Sequence, residues 1–384
     1  MTAPGWSIVV PTHNRGGFVR RAIASVRAQT IDDWELIVVD DGSEDDTREI
    51  ATSFRDEPRV RYVCQPHAGR SVARNHGVGL ARGEIVCFLD SDDTYLETAL
   101  ASHRRAFAGA HGIGMTIGGY RNVDEGGNGL GERLPWKRHP EPTPESWLFD
   151  CMALPGSVAI RREWLETVGG FDSSTEPAED WDLFLGLAFS GCPTGWTHDI
   201  VCNRLVHPGN STNDVRAHRL GTMRALDKAF RRPGLDPGVA ALERRARAWA
   251  HLASARNAAS LGRDDLAAEE LRAAAGLDAL PAWERRGPAL SPLGFPALLE
   301  ALLADERLRH GSTGPAELAA RWSLSVADVR RGLARVELSR FFAALADDNG
   351  GEAGSRLHRG LALDHRWLAH HAVTSYLLRH PFRR

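Results

Sequence analysis

Three apolar runs near the start of the chain each end in a polar cluster. WSIVVP leads into Thr12-His13-Asn14, WELIVV into Asp40-Asp41-Gly42-Ser43, and EIVCFL into Asp90-Ser91-Asp92. Between them lie helical patterns. Val19, Ala22, Ile23 and Val26 follow a 3.6-residue period, TREIATSF is a short helix, and Ser71 to Ala81 is another. VRYVC adds one more strand before EIVCFL. Alternation with short connections predicts an α/β fold with a mostly parallel sheet and helices on both faces. Such sheets bind ligands beyond the carboxyl ends of their strands. The three polar clusters therefore fall together at the one edge where a ligand would sit.

The sharpest of the three is Asp90-Ser91-Asp92-Asp93. Three carboxylates at the end of a buried strand repel one another unless a cation sits on them. Asp90 and Asp92 flank Ser91, so strand alternation lets both point toward one ion. Hard oxygen ligands suit Mg²⁺ or Mn²⁺, which keep open positions for phosphate oxygens. The competing reading is an N-cap for TYLETAL, but a cap needs one Asp, not three. Asp40-Asp41-Gly42-Ser43 taken alone reads as a turn followed by a cap. Glu179-Asp180 taken alone reads as acidic residues favoured at a helix start.

Past the fourth strand the pattern loosens. Residues 115–144 are rich in Gly, Pro and Arg and read as a loop or irregular hairpin; Gly126 to Gly131 reads as a mobile loop. VAIRREWLETVGGFD restores order, EDWDLFLGLAFSGC is a helix with an acidic start, and RLVHPGNST follows at 204–212. From about Val215 the composition turns to Ala, Leu and Arg with helical periodicity. The expected division is 1–214 and 215–384, the second part all-α. Within it LRAAAGLDAL and LHRGLALDHRWL resemble each other, which fits tetratricopeptide-like helix pairs or unrelated helical hairpins equally. Gly287 to Pro296 reads as a separator. SLSVADVRRGLARVE reads more simply as one capped helix than as a helix-turn-helix.

Charge excludes one class of partner: 47 basic side chains against 50 acidic ones give no electrostatic footprint for nucleic acid. The five cysteines show no metal-ligand spacing and fit a reduced compartment. No basic-plus-apolar leader opens MTAPGWSIVVPTHNRGG, and no apolar run reaches the length of a membrane span. The expectation is a cytoplasmic protein, with peripheral membrane attachment as the alternative.

Taken in order, SIVVPTHNR, ELIVVDDGSEDDT, AGRSVARNHG, GEIVCFLDSDD, VGGFD and AEDWDLFLGLA resemble the inverting nucleotide-sugar glycosyltransferases of the GT-A (Rossmann-like) fold, often called family 2. The resemblance covers roughly residues 5–213. It implies that Pro11, Thr12 and Asp41, with Asn14 and Asp40 beside them, hold a nucleobase, usually uracil. It sets Arg74 near the base and ribose, Asp90 and Ser91 on the nucleotide, and Asp92 on a Mn²⁺ or Mg²⁺ ion. His207 would meet the metal or diphosphate. Asp180 would be the catalytic base, with Glu179 and Trp181 on the acceptor side; Trp181 serves as a platform or simply packs. His13 stands where the family usually has an aromatic residue, a departure given little weight.

The implied activity is transfer of a sugar from a nucleotide-sugar, a UDP-sugar first, to an acceptor. The acceptor class is open: glycan, lipid-linked, small molecule or peptide. The alternative is a sugar-nucleotide or glycan binding module without chemistry; intact Asp90, Asp92 and Asp180 count against it. The helical half is a candidate acceptor-recognition surface or homodimer contact.

Overall fold

The computed structural model describes residues 4–109 and 112–277, with isolated positions between 330 and 361. The chain divides into two compact units, Met1–Asp236 and Pro237–Arg384.

The first unit opens with the expected alternation: β1 (Trp6–Thr12), α1 (Gly16–Arg27), β2 (Trp34–Asp40), α2 (Thr47–Thr52), β3 (Val60–Cys64), α3 (Arg70–Leu80) and β4 (Ile85–Phe88). β1 lies between β2 and β4, all parallel, and β3 extends the sheet beyond β2. Every residue of β1 and β2 is buried. That is why both read as continuous apolar runs rather than alternating ones. Val19, Ala22, Ile23 and Val26 of α1 pack into the same core as Ile8, Val10, Leu36 and Val38.

Beyond β4 the sheet changes character. β5 (Thr94–Tyr95), α4 (Ala99–Gly109), β6 (Met115–Val123), β7 (Gly129–Arg133), α5 (Pro144–Phe149), β8 (Val158–Arg161), α6 (Arg162–Val168), α7 (Glu179–Phe189) and β9 (Thr194–Leu205) follow. The strand order is β3-β2-β1-β4-β8-β6-β9-β5, with β7 on β6. Four pairings are parallel and four antiparallel, so the expectation of a mostly parallel sheet is corrected: the sheet is mixed. The parallel part is the part whose strands are separated by clear helices.

Residues 115–144 contain a hairpin, β6–β7, as one of the two readings had it. The glycines that obscured β6 are there for close approach. A Cβ on Gly118 would lie 2.5 Å from Val201 of β9, and one on Gly119 would lie 2.8 Å from the Arg133 carbonyl. β9 escaped the sequence reading because it is polar and irregular. Its register against β6 shifts between Ile117 and Gly119, and His198 there has φ +58°.

The composition change near 215 marks the start of α8 (Val215–Phe230), while the first unit runs on to Asp236. Lys228 of α8 donates to Asp172 at 2.8 Å and to buried Asp182 of α7 at 2.7 Å. That pairing holds the Asp172 carboxyl down at about 2. The second unit contains α9 (Pro237–Ala240) and the packed pair α10 (Glu243–Ser260) and α11 (Asp264–Gly276). The second of the two similar segments, the Pro/Gly separator and most of SLSVADVRRGLARVE lie outside the described residues. No helix among the described residues is long and apolar enough to cross a membrane.

Gly77 sets the distance between α3 and the sheet. A Cβ there would lie 2.3 Å from Val9 Cγ1, on a fully buried β-branched side chain that cannot swing away. Gly77→Ala should therefore destabilise the chain by about 1–3 kcal/mol. Urea unfolding of the two proteins measures it, and equal midpoints would mean that α3 shifts freely on the sheet.

Candidate active site

The strand ends meet a cleft of about 480 Å³. Pro11 and Thr12 enter it from β1, Asp41 from β2, and Asp90 to Asp93 from β4. Arg70 and Arg74 of α3, Glu176 to Asp180 at the start of α7, and Asn210 to Thr212 after β9 complete the wall. Nine of the sequence-derived residues thus share one cavity: Pro11, Thr12, Asp41, Arg74, Asp90, Ser91, Asp92, Glu179 and Asp180.

Four others, Asn14, Asp40, Trp181 and His207, are not among its lining residues; His207 reaches it only through Asp92. Strand alternation turns Asp40 away from Asp41. It is buried, accepting from the Tyr62 hydroxyl at 2.5 Å and the Ser43 N–H at 2.9 Å. Asn14, with φ +51°, ties two loops by accepting from the Glu44 N–H at 2.8 Å. Trp181 is buried, its indole donating to the Trp147 carbonyl at 2.7 Å.

Asp41 does line the cleft, as a clamp. One carboxylate oxygen accepts from Gln65 Nε2 (2.7 Å) and the Ala68 N–H (2.9 Å). The other accepts from the Gly69 N–H (2.8 Å) and faces His67 Nδ1 at 2.8 Å. These four partners fill the carboxylate's acceptor positions and fix the turn that launches α3. His67 stacks on His13, ring centroids 4.2 Å apart, and both rings face the cleft. The low weight given to His13 is corrected accordingly.

Arg74 is 2% exposed and bridges the two halves of the cleft. It donates to Asp90 at 2.6 Å and to Glu179 at 2.7 Å, over the face of Phe171. Its Nε and Glu179 Oε2 have no protein partner, and neither does the Thr12 hydroxyl; all three are buried. Asp180 follows Glu179 in the first turn of α7. Burial, and next the Glu179 charge, push its carboxyl up to about 7, against the pull of Arg74.

The cluster after β4 is resolved residue by residue. Asp90 takes Arg74. Asp93 accepts from the Leu205 N–H at 2.9 Å, and burial together with the charges of Asp92 and Asp90 pushes its carboxyl well above the usual range. Asp92 Oδ2 meets Arg15 Nη1 at 2.5 Å and His207 Nε2 at 3.1 Å. The Gly209 N–H donates to His207 Nδ1, so the network assigns the ring proton to Nε2, between His207 and Asp92.

Among the described residues no three His, Cys, Asp or Glu form a ready-made metal cage. Asp92 and His207 nonetheless fit a divalent ion, which is usually held by one or two protein donors plus substrate phosphates. Their donors already converge on one shared proton, and the ion would take its place.

Sequence reasoning missed Arg15, Arg70 and Arg204. Arg15 follows the PTHN motif directly, and Arg70 precedes Arg74 by one helical turn. Arg204 opens RLVHPGNST, where only His207 was singled out. Arg70 donates to Ser211 at 3.2 Å and Arg204 to Thr212 at 3.3 Å.

Residues 7–169 match the model of glycosyl transferase family 2. This segment is similar to the family 2 glycosyltransferase domains. Over 207 residues the chain is 31% identical to the chondroitin synthase of Escherichia coli, covering 54% of this chain and 29% of that one. It is 33% identical over 170 residues to the validoxylamine A glucosyltransferase of Streptomyces hygroscopicus, covering 41% and 39%. The chain thus spans less than two-fifths of either relative.

Two solved structures share the fold. Staphylococcus aureus TarS 1–349 with UDP-GlcNAc superposes with a TM-score of 0.55 at 18% identity, covering 87% of this chain and 91% of that one. Mannosyltransferase PcManGT of Pyrobaculum calidifontis with GDP-Man and Mn²⁺ does so with 0.54 at 20%, covering 88% of each. The first unit accordingly has a GT-A-like architecture, its mixed sheet flanked by helices. The family match stops short of Asp180 and His207, whose placement rests on the geometry above.

Arg74→Met should destabilise the fold by about 3–5 kcal/mol, because it leaves Asp90 and Glu179 facing each other without their shared cation. Chemical denaturation at neutral pH measures the loss; a change under 1 kcal/mol (about the worth of an exposed pair) would contradict the buried bridge.

Proposed function

We propose that the chain is a metal-dependent, inverting glycosyltransferase. It moves a sugar from a nucleotide-sugar, a UDP-sugar first, to an acceptor hydroxyl. The observation that carries this reading is Asp180. Its carboxyl is held near neutrality in the same cleft as Asp92, whose Oδ2 is paired with His207 Nε2. A general base works best with a pKa near the working pH.

Asp180 takes the proton from the acceptor hydroxyl as that oxygen attacks the anomeric carbon. The diphosphate leaves from the opposite face, so configuration inverts and no sugar–enzyme bond forms. Asp92 and His207 hold the Mn²⁺ or Mg²⁺ ion, which supplies Lewis-acid stabilisation of the departing diphosphate. Arg70, which also pairs with Glu179 at 3.6 Å, and Arg204 line the cleft and are placed to counter phosphate charge. Glu179 acts through Arg74 and through its charge on Asp180.

The Mn²⁺ and GDP-Man of the mannosyltransferase neighbour support the metal and the nucleotide-sugar. The UDP-GlcNAc of TarS is in keeping with a uridine donor, and the chondroitin synthase relative supports a glycan acceptor. Five free cysteines, three of them buried, support a reducing, cytoplasmic setting.

Asp180→Asn should lower transfer roughly 10²–10⁴-fold while UDP affinity stays nearly intact. Asp92→Ala should instead abolish the metal dependence of UDP binding. Calorimetry and product mass spectrometry on one preparation separate the two effects. Near wild-type transfer by Asp180→Asn would make Asp180 a helix-start carboxylate and nothing more.

The pH profile follows from the raised Asp180. Below about 7 its acid form dominates and cannot accept a proton. The transfer kcat/KM should therefore rise about tenfold per pH unit up to that point and level off above it. A profile flat down to pH 5 would remove Asp180 as the base.

A further inference from the structure

Two cations of the chain stand on the carboxylates after β4, and they are held very differently. Arg74 is locked between Asp90 and Glu179 and is 2% exposed. Arg15 reaches Asp92 with one nitrogen, and its side chain is 30% exposed. The Arg15 backbone is anchored: its N–H donates to Thr47 Oγ1 at 3.0 Å, and its carbonyl accepts from the Phe18 and Val19 N–H groups at the start of α1. The side chain is held by two contacts, Asp92 and the face of Phe18.

Phe18 organises the contact. Arg15 lies 5.6 Å from its ring centroid, and the His207 ring stacks on it at 5.5 Å. Arg15 and His207 therefore converge on the same oxygen, Asp92 Oδ2. A divalent ion held by Asp92 and His207 needs that oxygen, and a guanidinium 2.5 Å from it repels the ion.

We propose that Arg15 is a displaceable counter-ion of the cation site. It neutralises Asp92 in the nucleotide-free protein and transfers to the donor's diphosphate when a divalent ion takes the carboxylate. This rests on the metal site of the reading above. Metal entering alone must expel Arg15 into water. Metal entering with a diphosphate gives Arg15 a new anion, one whose oxygens suit a guanidinium fork. Metal and nucleotide thereby bind with positive coupling, and linkage makes the coupling equal in both directions.

The test is Mn²⁺ binding to the full chain by electron paramagnetic resonance of the free ion, with and without UDP, so no turnover is needed. In Arg15→Gln, Mn²⁺ without UDP should bind about three- to tenfold tighter than in wild type, the scale of one partly exposed charge pair. The enhancement of Mn²⁺ affinity by UDP should shrink. Arg15→Lys, which keeps the charge, should stay closer to wild type on both counts. Nucleotide-free affinity that is unchanged or weaker in Arg15→Gln overturns the inference while leaving the metal site standing. Absence of Mn²⁺ binding by wild type, with UDP and without it, overturns the metal site and this inference together.

Discussion

The buried guanidinium of Arg74 is the contact on which the rest of the cleft depends. It joins the end of β4 to the start of α7, two elements far apart in sequence, through charge-assisted bonds of 2.6 and 2.7 Å. A buried cation with one anionic partner would be costly; with two it is compensated, and each carboxylate gains a fixed position. Two consequences follow. Asp90 is occupied, so of the carboxylates after β4 it is Asp92 that remains for a ligand. Glu179 gives Oε1 to Arg74, and its charge raises its neighbour Asp180. The clamp at Asp41 works the same way on the opposite wall, spending a carboxylate on the turn before α3.

The architecture was legible in the sequence as far as helices separate the strands. β1 to β4 were readable because each is a buried run closed by a polar cluster, and parallel pairing follows from the helices between them. The mixed half was not. β6 carries Gly118 and Gly119, which are absences of side chain that make room for Val201 and the Arg133 carbonyl. β9 contains Thr197, His198 and Asp199 at a register shift. Neither pattern announces a strand, since its cause lies in a neighbour the sequence does not name.

The site was legible in residue type and less so in role. The resemblance marked the right stretches, and alternation then decides which member of each pair faces the cleft. Asp41 does and Asp40 does not; Asp180 does and Trp181 does not. A motif quotes adjacent residues together, whereas a strand or helix turns them apart. The arginines were harder to find, because Arg is common in this chain and composition makes it look like background. What sets Arg15 apart is that the carboxylate it meets, 77 residues on, lines the cleft.

The cluster after β4 raised the question of how three carboxylates can end a buried strand without a cation. The chain answers with unequal devices. Asp90 has a permanent cation, sealed in place. Asp93 has burial and the charges of Asp92 and Asp90, which favour its protonated form, and a backbone donor that ties it to β9. Asp92 has a half-exposed arginine and a shared histidine proton, the two arrangements that can be undone without unfolding anything. If all three charges were sealed like Asp90, no ligand could enter. If none were compensated, the strand end would stand as an exposed repulsive cluster whenever the cleft is empty. The exchangeable charge is therefore set by the cation that meets it, Arg15 being 30% exposed and Arg74 2%. A site built this way keeps its shape between ligands because its compensation is local. On the proposed reading it would admit a cation at one carboxylate, Asp92.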